Sequence, residues 1–132
     1  MTEPTVAPPS GLAERIRRLQ GPILVLGASG FIGANLMRAI LGSRSDVHGT
    51  TTRMPAWRLE GLPPENVSTV DLLIDSNLDA LLDATRPRTV FNCVAYGAYS
   101  FETDSQLIYR TNFQFLTRLL TRRVTWQGLI LP

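Results

Sequence analysis

The chain has 132 residues, of which 44% are apolar and 18% are charged, so its length fits one globular domain with a modest core. Its 13 basic residues are all arginine, and together with its 11 acidic residues they leave a net charge of +2. The sequence contains no basic stripe, so a nucleic-acid partner is not expected. This composition excludes chemistry that needs a lysine of this chain, and the single cysteine and single histidine exclude an internal disulfide and a Cys/His metal cluster.

Residues 1–20 are predicted to form a disordered leader and a short accessory helix. Residues 1–10 contain three prolines and little that could pack, and Ser10 is a candidate cap for a helix over residues 11–19. The segment lacks the basic start and apolar run of a targeting signal, and no stretch approaches the roughly 18 to 20 apolar residues of a membrane span. We therefore expect a cytoplasmic protein with no membrane partner.

A buried strand and a helix follow. The apolar run at residues 23–26 is typical of a parallel strand that is covered on both faces. After a glycine-rich turn, apolar residues recur at helical spacing as far as Leu41, and Gly42 stands where a helix should end.

The later segments continue the alternation of strands and helices. In chain order they are a threonine-rich strand at 46–52, a proline-interrupted connection at 54–64, a strand at 67–71, a helix opened by a capping box of Ser76 and Asp79, a strand at 89–94, a loop at 95–103 and a helix at 104–120. This order predicts an α/β fold, a doubly wound parallel sheet that is incomplete at its C-terminus. We assign residues 21–121 to one domain, and residues 122–132, which do not resemble the usual next strand, to a tail of uncertain structure.

The glycine-rich turn carries the clearest chemical signal. Gly27 permits a tight turn, Gly30 lets the backbone approach a pyrophosphate, and Gly33 lets the helix pack closely on the strand. The free amide groups and the dipole of the helix start then face the phosphates. The spacing G-x-x-G-x-x-G, placed between a buried strand and a helix, predicts dinucleotide binding, and a turn without a ligand is the alternative.

At these residues the chain resembles the short-chain dehydrogenase/reductase superfamily, and within it the extended branch of epimerases, dehydratases and reductases of nucleotide sugars. The run Gly-Ala-Ser-Gly-Phe-Ile-Gly at 27–33 matches that branch, although Leu26 replaces its usual threonine. Three further matches follow in the family's order, and they are Asp71-Leu72, Asn92-Cys93-Val94-Ala95 and Thr111-Asn112. In the family the first pair contacts adenine and the second segment passes the ribose and nicotinamide. The resemblance implies a Rossmann fold over residues 22–120.

The family's catalytic Tyr-x-x-x-Lys motif does not occur in this chain, because Tyr96, Tyr99 and Tyr109 are each followed four residues later by a residue other than lysine. The resemblance therefore implies a fragment, the NAD(P)-binding part of an enzyme that acts on a nucleotide sugar or a similar substrate, and we expect this chain alone to be inactive. A non-catalytic dinucleotide sensor of the same fold is the alternative, and an interaction domain that has lost its ligand is a third reading.

The predicted cofactor contacts lie on the turn and at the ends of the strands. They are Gly27, Ser29, Gly30, Phe31, Ile32, Gly33, Arg53, Asp71, Leu72, Val94, Ala95 and Tyr96. No acid follows the second strand, so Arg53 is interpreted as a clamp for the 2′-phosphate of NADP, helped by the hydroxyls of residues 50–52, with NAD as the alternative. No catalytic residue and no metal ligand is assigned.

Several other residues have a structural interpretation beside a functional one. Asp71 could cap the loop that follows it. Asn112 should bond the backbone of a neighbouring strand, because an unpaired buried amide costs about 1 to 3 kcal/mol, and catalysis through a water chain is its functional alternative. Tyr96 and Tyr99 could contact substrate or simply pack in their loop. Cys93 and His48 are interpreted as structural, and the acids at 75, 79 and 83 as a solvated helix face.

The helix at 104–120 is also a candidate interface. In the extended branch this helix pairs across a dimer axis with its successor. An apolar stripe without its cover is an interaction surface, so we expect a homo-oligomer through this helix.

Overall fold

One parallel sheet organises the molecule, whose computed structural model describes residues 7–96, 99–122 and 128–130. Its strands are β1 (Ile23–Leu26), β2 (Val47–Thr51), β3 (Val67–Thr69), β4 (Thr89–Asn92) and β5 (Gly128–Ile130). The helices are α1 (Ala7–Arg17), α2 (Phe31–Leu41), α3 (Asp75–Thr85), α4 (Ser105–Tyr109) and α5 (Phe115–Thr121), and a π-helical turn, Arg110–Gln114, joins α4 to α5.

The strands pair in the order β3-β2-β1-β4-β5, and every pairing is parallel. Ile23 lies opposite Val47 on one side and Thr89 on the other, so β1 is central. The chain reverses its direction of winding between β1 and β4, which is the switch point where ligands bind in such sheets. This topology confirms the predicted doubly wound, Rossmann-type α/β fold.

Each face of the sheet has its own apolar core, because successive side chains of a strand point to opposite faces. Ile23 and Val25 pack with Met37 and Ile40 of α2, whereas the side chains of β1 on the other face pack against α3 and α5. The members of this second core are Leu24, Leu26, Leu72, Leu78, Leu82, Val90, Phe115 and Leu119. The four apolar residues of β1 are therefore all buried.

Helix α1 begins at Ala7, so the predicted cap at Ser10 and the predicted disorder of residues 7–10 are wrong, while residues 1–6 lie outside the described residues. The first turn of a helix tolerates the prolines at 8 and 9, since its N–H groups have no partner within the helix. Ile16 anchors the helix in the first core. The guanidinium of Arg44 donates to the carbonyl oxygens of Ile16 at 2.9 Å and Leu19 at 2.7 Å.

Residues 128–130 also differ from the prediction, because they form β5 beside β4, with Gly128 opposite Thr89. The expectation that the tail does not supply the next strand is therefore wrong, and the sheet extends past residue 121. Residues 123–127 and 131–132 of the tail lie outside the described residues.

Helix α3 starts two residues earlier than the capping box predicts, with Ile74 and not Ser76 in the cap position, so Ser76 and Asp79 do not form that box. Asp75 pairs with Arg118 at 3.1 Å, and Asp79 pairs with Arg122. Asp75 and Asp83 are exposed, as expected of a solvated helix face, and Asp79 is half-buried. Two of these acids also form ion pairs, one with an arginine of α5 and one with the arginine that follows α5.

The helical segment that follows the fourth strand starts where predicted. Asp104 caps it by accepting hydrogen bonds from the amides of Gln106 at 3.0 Å and Leu107 at 3.1 Å. The π-helical turn shifts the helical register, and large apolar side chains before it, within it and after it are exposed, namely Tyr109, Phe113 and Leu120.

Candidate functional site

The turn between β1 and α2 is held by both strands that flank β1. The amide of Gly27 donates to Oγ1 of Thr50 at 3.3 Å, and the amide of Ala28 donates to the carbonyl of Thr50 at 2.7 Å. Gly27 has a φ of +73°, and a Cβ added there would lie 2.8 Å from the carbonyl carbon and oxygen of Cys93. The sequence predicted a different role for the Thr50 hydroxyl, because only the sheet brings it to the turn.

The other two glycines of the turn differ in what surrounds them. A Cβ on Gly33 would collide with the carbonyl oxygen of Gly27 and lie 2.9 Å from Cα of Ala28, so Gly33 is required by the packing of α2. Gly30 has extended backbone, and the nearest atom to an added Cβ is the Gly27 oxygen at 3.7 Å. The protein itself therefore leaves room for a side chain at Gly30.

Helix α2 begins at the open side of this turn. Gly30 occupies its cap position, and among the described residues no side chain accepts from the amides of the first turn. The side chains of Phe31 and Ile32 are 69% and 55% exposed although both are large and apolar. Unpaired amides beside exposed apolar surface make this a place where an anionic, partly apolar ligand can bind.

A positively charged side chain follows β2, at the same edge of the sheet as the glycine turn. Arg53 follows the strand and is exposed, as expected of a clamp residue. Thr50 and Thr51, however, are buried, and the Thr51 hydroxyl donates to the carbonyl of Arg53 at 3.2 Å. The expectation that these two hydroxyls help to bind a phosphate is therefore wrong, and only Thr52 is exposed there.

Sequence reasoning missed Arg58, in the connection between β2 and β3. Its Nη1 donates to the carbonyl oxygen of Ser29 at 3.4 Å, so the guanidinium lies beside the glycine turn. No local sequence signal separates it from an ordinary loop arginine.

At the end of β3, Asp71 is exposed and its Oδ1 accepts from the amide of Leu73 at 3.0 Å, which is the loop-capping role. The carbonyl of Asp71 accepts from Nδ2 of Asn77 at 3.0 Å. Leu72 is 6% exposed and packs in the second core, so its side chain does not face the crevice.

The segment after β4 is clamped by the π-helical turn. Oδ1 of Asn112 accepts from the amide of Tyr96 at 3.0 Å, and Nδ2 of Asn112 donates to the carbonyl of Tyr96 at 2.5 Å. Asn112 bonds backbone as predicted, but its partner lies in the loop after β4 and not in a strand, and its side chain is exposed and does not lie on a buried stripe. Val94 is half-buried, its amide donating to Oδ1 of Asn92 at 3.2 Å, and Ala95 is exposed.

Two titratable side chains have structural roles, as expected. Nε2 of His48 lies 2.6 Å from Oγ of Ser68, and burial lowers the pKa of His48, so the ring is neutral at pH 7. Burial raises the pKa of the Cys93 thiol, which keeps it protonated and unreactive. Within the described ranges there is no group of three acidic, histidine or cysteine residues that could hold a metal ion.

The predicted contact residues thus share one edge of the sheet. Each of these segments follows one strand: the glycine turn follows β1, Arg53 follows β2, Asp71 follows β3 and residues 94–96 follow β4. These four strands are neighbours in the sheet.

In the part of the chain that the structure describes, no helix is both long and apolar enough to cross a membrane.

Comparison with known proteins gives one family match. The sequence model of the NAD dependent epimerase/dehydratase family matches residues 23–123. A search of curated proteins finds none that matches the chain.

Several solved structures share the fold. An epimerase from Methanothermobacter thermautotrophicus is 20% identical with a TM-score of 0.75, and the match covers 94% of this chain and 38% of that one. L-threonine 3-dehydrogenase from Trypanosoma brucei is 22% identical with a TM-score of 0.73, covering 85% and 36%. A Bordetella bronchiseptica enzyme in complex with NAD and UDP is 24% identical with a TM-score of 0.64, covering 80% and 34%. The match thus spans 34% to 38% of these three structures.

Proposed function

Because the chain belongs to the NAD-dependent epimerase/dehydratase family, we propose that it is the dinucleotide-binding part of an enzyme that acts on a nucleotide sugar or a similar substrate. The observation that carries the proposal is Gly30, where the protein itself leaves space for a side chain. A glycine that the fold does not need, between two glycines that it does need, is explained by a ligand that passes close to the backbone. The NAD and UDP bound to a structural neighbour support the same ligand class.

Different segments of the chain bind different parts of the dinucleotide. The amides at the start of α2 bind the pyrophosphate, Arg53 lies at the adenosine end, and the segment clamped by Asn112 borders the nicotinamide end. The cofactor, when bound, supplies the hydride-transfer chemistry. The exposed side chains of Phe31 and Ile32 flank the phosphates and limit the access of water. We also propose a cytoplasmic location, since the chain's one cysteine is a protonated thiol that needs no oxidising compartment.

The proposal is tested by calorimetric titration of the purified chain with NADH and NADPH. We expect saturable binding of at least one of them and no hydride transfer by this chain, because a tyrosine activated by lysine is not available in its sequence. Absence of heat with both dinucleotides would refute the binding role.

A non-catalytic dinucleotide sensor of the same fold is the second candidate, because it would use the same glycine turn without a catalytic tyrosine and lysine. The two candidates differ in what the gene encodes downstream of residue 132. A Tyr-x-x-x-Lys motif there would support the enzyme, and a reading frame without one would support the sensor.

We expect NADPH to bind more tightly than NADH, and Arg53→Ala to reduce that preference. A guanidinium paired with a phosphate should contribute roughly 1.5 to 3 kcal/mol, or about ten- to a hundredfold in affinity. The preference should shrink as salt is added, because an exposed pair is screened over about 8 to 10 Å. Equal binding of both dinucleotides, or an unchanged preference in the variant, would contradict the role of Arg53.

We also propose that the chain self-associates through α4, the π-helical turn and α5. Tyr109 and Phe113 stack with their ring centroids 5.2 Å apart, and both are more than half exposed. Sedimentation should show a dimer that dissociates on dilution, and the double variant Tyr109→Ser/Phe113→Ser should weaken the association about tenfold or more. A wild-type chain that stays monomeric at every concentration would contradict this expectation.

A further inference from the structure

A cavity of about 600 Å³ lies in the connection between β2 and β3. Its walls are mostly apolar, and the larger side chains that line it are Met54, Pro55, Trp57, Leu62 and Pro64. Cavities that bind small organic molecules measure about 300 to 1,000 Å³ and have walls of this kind. Met54 and Trp57 are 52% and 74% exposed, so the cavity presents apolar surface to solvent.

Contacts with α2 and β2 hold the connection that forms this cavity. Nη2 of Arg38 in α2 donates to the carbonyl oxygens of Arg58 at 2.7 Å and Glu60 at 2.9 Å. Further along the connection, Nδ2 of Asn66 donates to the carbonyl oxygen of Val47 at 2.8 Å. Because the walls are fixed before a ligand arrives, little ordering of the chain opposes binding.

One charged side chain lines the cavity, and it is the acid Glu60. In the part of the chain that the structure describes, its carboxylate has no hydrogen-bond or ion-pair partner. Arg38 and Arg58 do not line the cavity, and their terminal nitrogens donate to backbone carbonyl oxygens. The charge inside the cavity is therefore negative, and it complements a cationic ligand.

The indole ring of Trp57 also favours a cation. The guanidinium carbon of Arg58 lies 4.6 Å from the centroid of this ring, which shows that the ring attracts positive charge. The amide of Glu60 donates to the carbonyl of Trp57 at 3.3 Å, so the indole and the carboxylate leave the same turn of the chain. An aromatic ring and a carboxylate on one turn are suited to an ammonium group.

We propose that this cavity binds a small organic amine, whose ammonium group pairs with Glu60 and whose apolar body packs against Trp57 and the neighbouring apolar walls. None of the predicted dinucleotide contacts lines the cavity, whereas Val67, the first residue of β3, does. The dinucleotide crevice lies at the other ends of the strands. The amine site is therefore separate from that crevice, and the inference does not depend on the proposed function.

The experiment uses three probes of similar shape and different charge, namely 2-phenylethylamine, 2-phenylethanol and phenylacetate. Nuclear magnetic resonance of the isotope-labelled full chain follows the indole N–H of Trp57, and the Trp57→Phe variant identifies its signal among those of the two tryptophans. We expect a saturable shift with the amine. The amine should bind about two- to fivefold more tightly than the alcohol, as expected of an exposed ion pair, and the carboxylate should bind most weakly.

Two variants of matched charge test the role of Glu60. Glu60→Gln should remove most of the advantage of the amine and leave the affinity for the alcohol within about twofold, because the side chain keeps its size and loses its charge. Glu65→Gln is the control, since Glu65 is exposed in the same connection but does not line the cavity. It should leave the affinities for both probes unchanged, and thermal denaturation establishes that each variant is folded.

The outcomes separate this inference from the proposed function. Equal affinities for the amine and the alcohol, an unchanged advantage in Glu60→Gln, or no shift with any probe would overturn the amine site while dinucleotide binding stands. Displacement of the amine by NADH or NADPH would also overturn it, because the cavity would then belong to the dinucleotide crevice. If the amine binds as expected and neither dinucleotide binds, the inference stands and the proposed function falls.

Discussion

Replacing Gly30 with valine is expected to abolish dinucleotide binding while the chain stays folded. The backbone of Gly30 is extended at φ −76° and ψ 174°, a conformation that valine adopts readily. The nearest protein atom to an added Cβ is 3.7 Å away, so the side chain meets no obstacle in the protein itself. It would instead occupy the space through which a pyrophosphate reaches the amides of α2.

We expect the loss of affinity to be about a hundredfold or more, which corresponds to about 3 kcal/mol. The free energy of unfolding should fall by about 1 kcal/mol or less, the difference between glycine and valine as helix caps. Titration with NADH and NADPH measures the first quantity, and urea denaturation measures the second. A Gly30→Val chain that binds with unchanged affinity would mean that the turn is structural only and that the proposed function is wrong.

Replacing Gly27 with alanine is expected to have the opposite effect and to destabilise the fold itself. At φ +73° a residue with a Cβ is strained by about 1 to 2 kcal/mol. The new Cβ would also lie 2.8 to 2.9 Å from three backbone atoms of Cys93 and Val94, just after the end of β4. The amide of Cys93 donates to the carbonyl of Leu26 at 2.9 Å, so this backbone cannot move aside as a flexible side chain can, and overpacking adds about 1 to 3 kcal/mol.

The expected total is about 2 to 5 kcal/mol, a large part of the stability of a domain of this size. Gly61→Ala is the matched control, because Gly61 also has a positive φ, +88°, but nothing lies within 4 Å of an added Cβ. Urea denaturation should therefore show a smaller loss for Gly61→Ala, equal to the backbone strain alone. Equal losses for the two variants would mean that the turn does not press against β4.

Sequence patterns predicted the elements whose formation is local. The apolar run of β1 was predicted with its observed limits, since a strand that is buried on both faces must be apolar at every position. The start of the helix at Asp104 and the end of α2 next to Gly42 were predicted, since the ends of a helix depend on residues nearby in the chain. The roles of Gly27 and Gly33 were also readable, because the turn, the strand and the helix that require them are contiguous in the chain.

Contacts between distant segments had no such signature. The paired acids and arginines of α3 and α5 resemble solvated helix faces until the two helices pack together. Strand β5 lacks a pattern of its own, and it is recognised by its pairing with β4. The buried hydroxyls of Thr50 and Thr51 were misjudged because sequence alone does not tell which hydroxyls near the end of a strand face the protein.

The sequence by itself therefore determined the parallel α/β architecture, the family and the position of the glycine turn, because these depend on periodicity and on residues adjacent in the chain. Only the tertiary structure decided what each glycine is for, and only it brought Arg58 to the turn, 29 residues away in sequence from the Ser29 carbonyl that it contacts. The physical reason is the same in both cases. A hydrogen bond or a steric limit acts over a few ångströms of space, and folding of the sheet sets those distances.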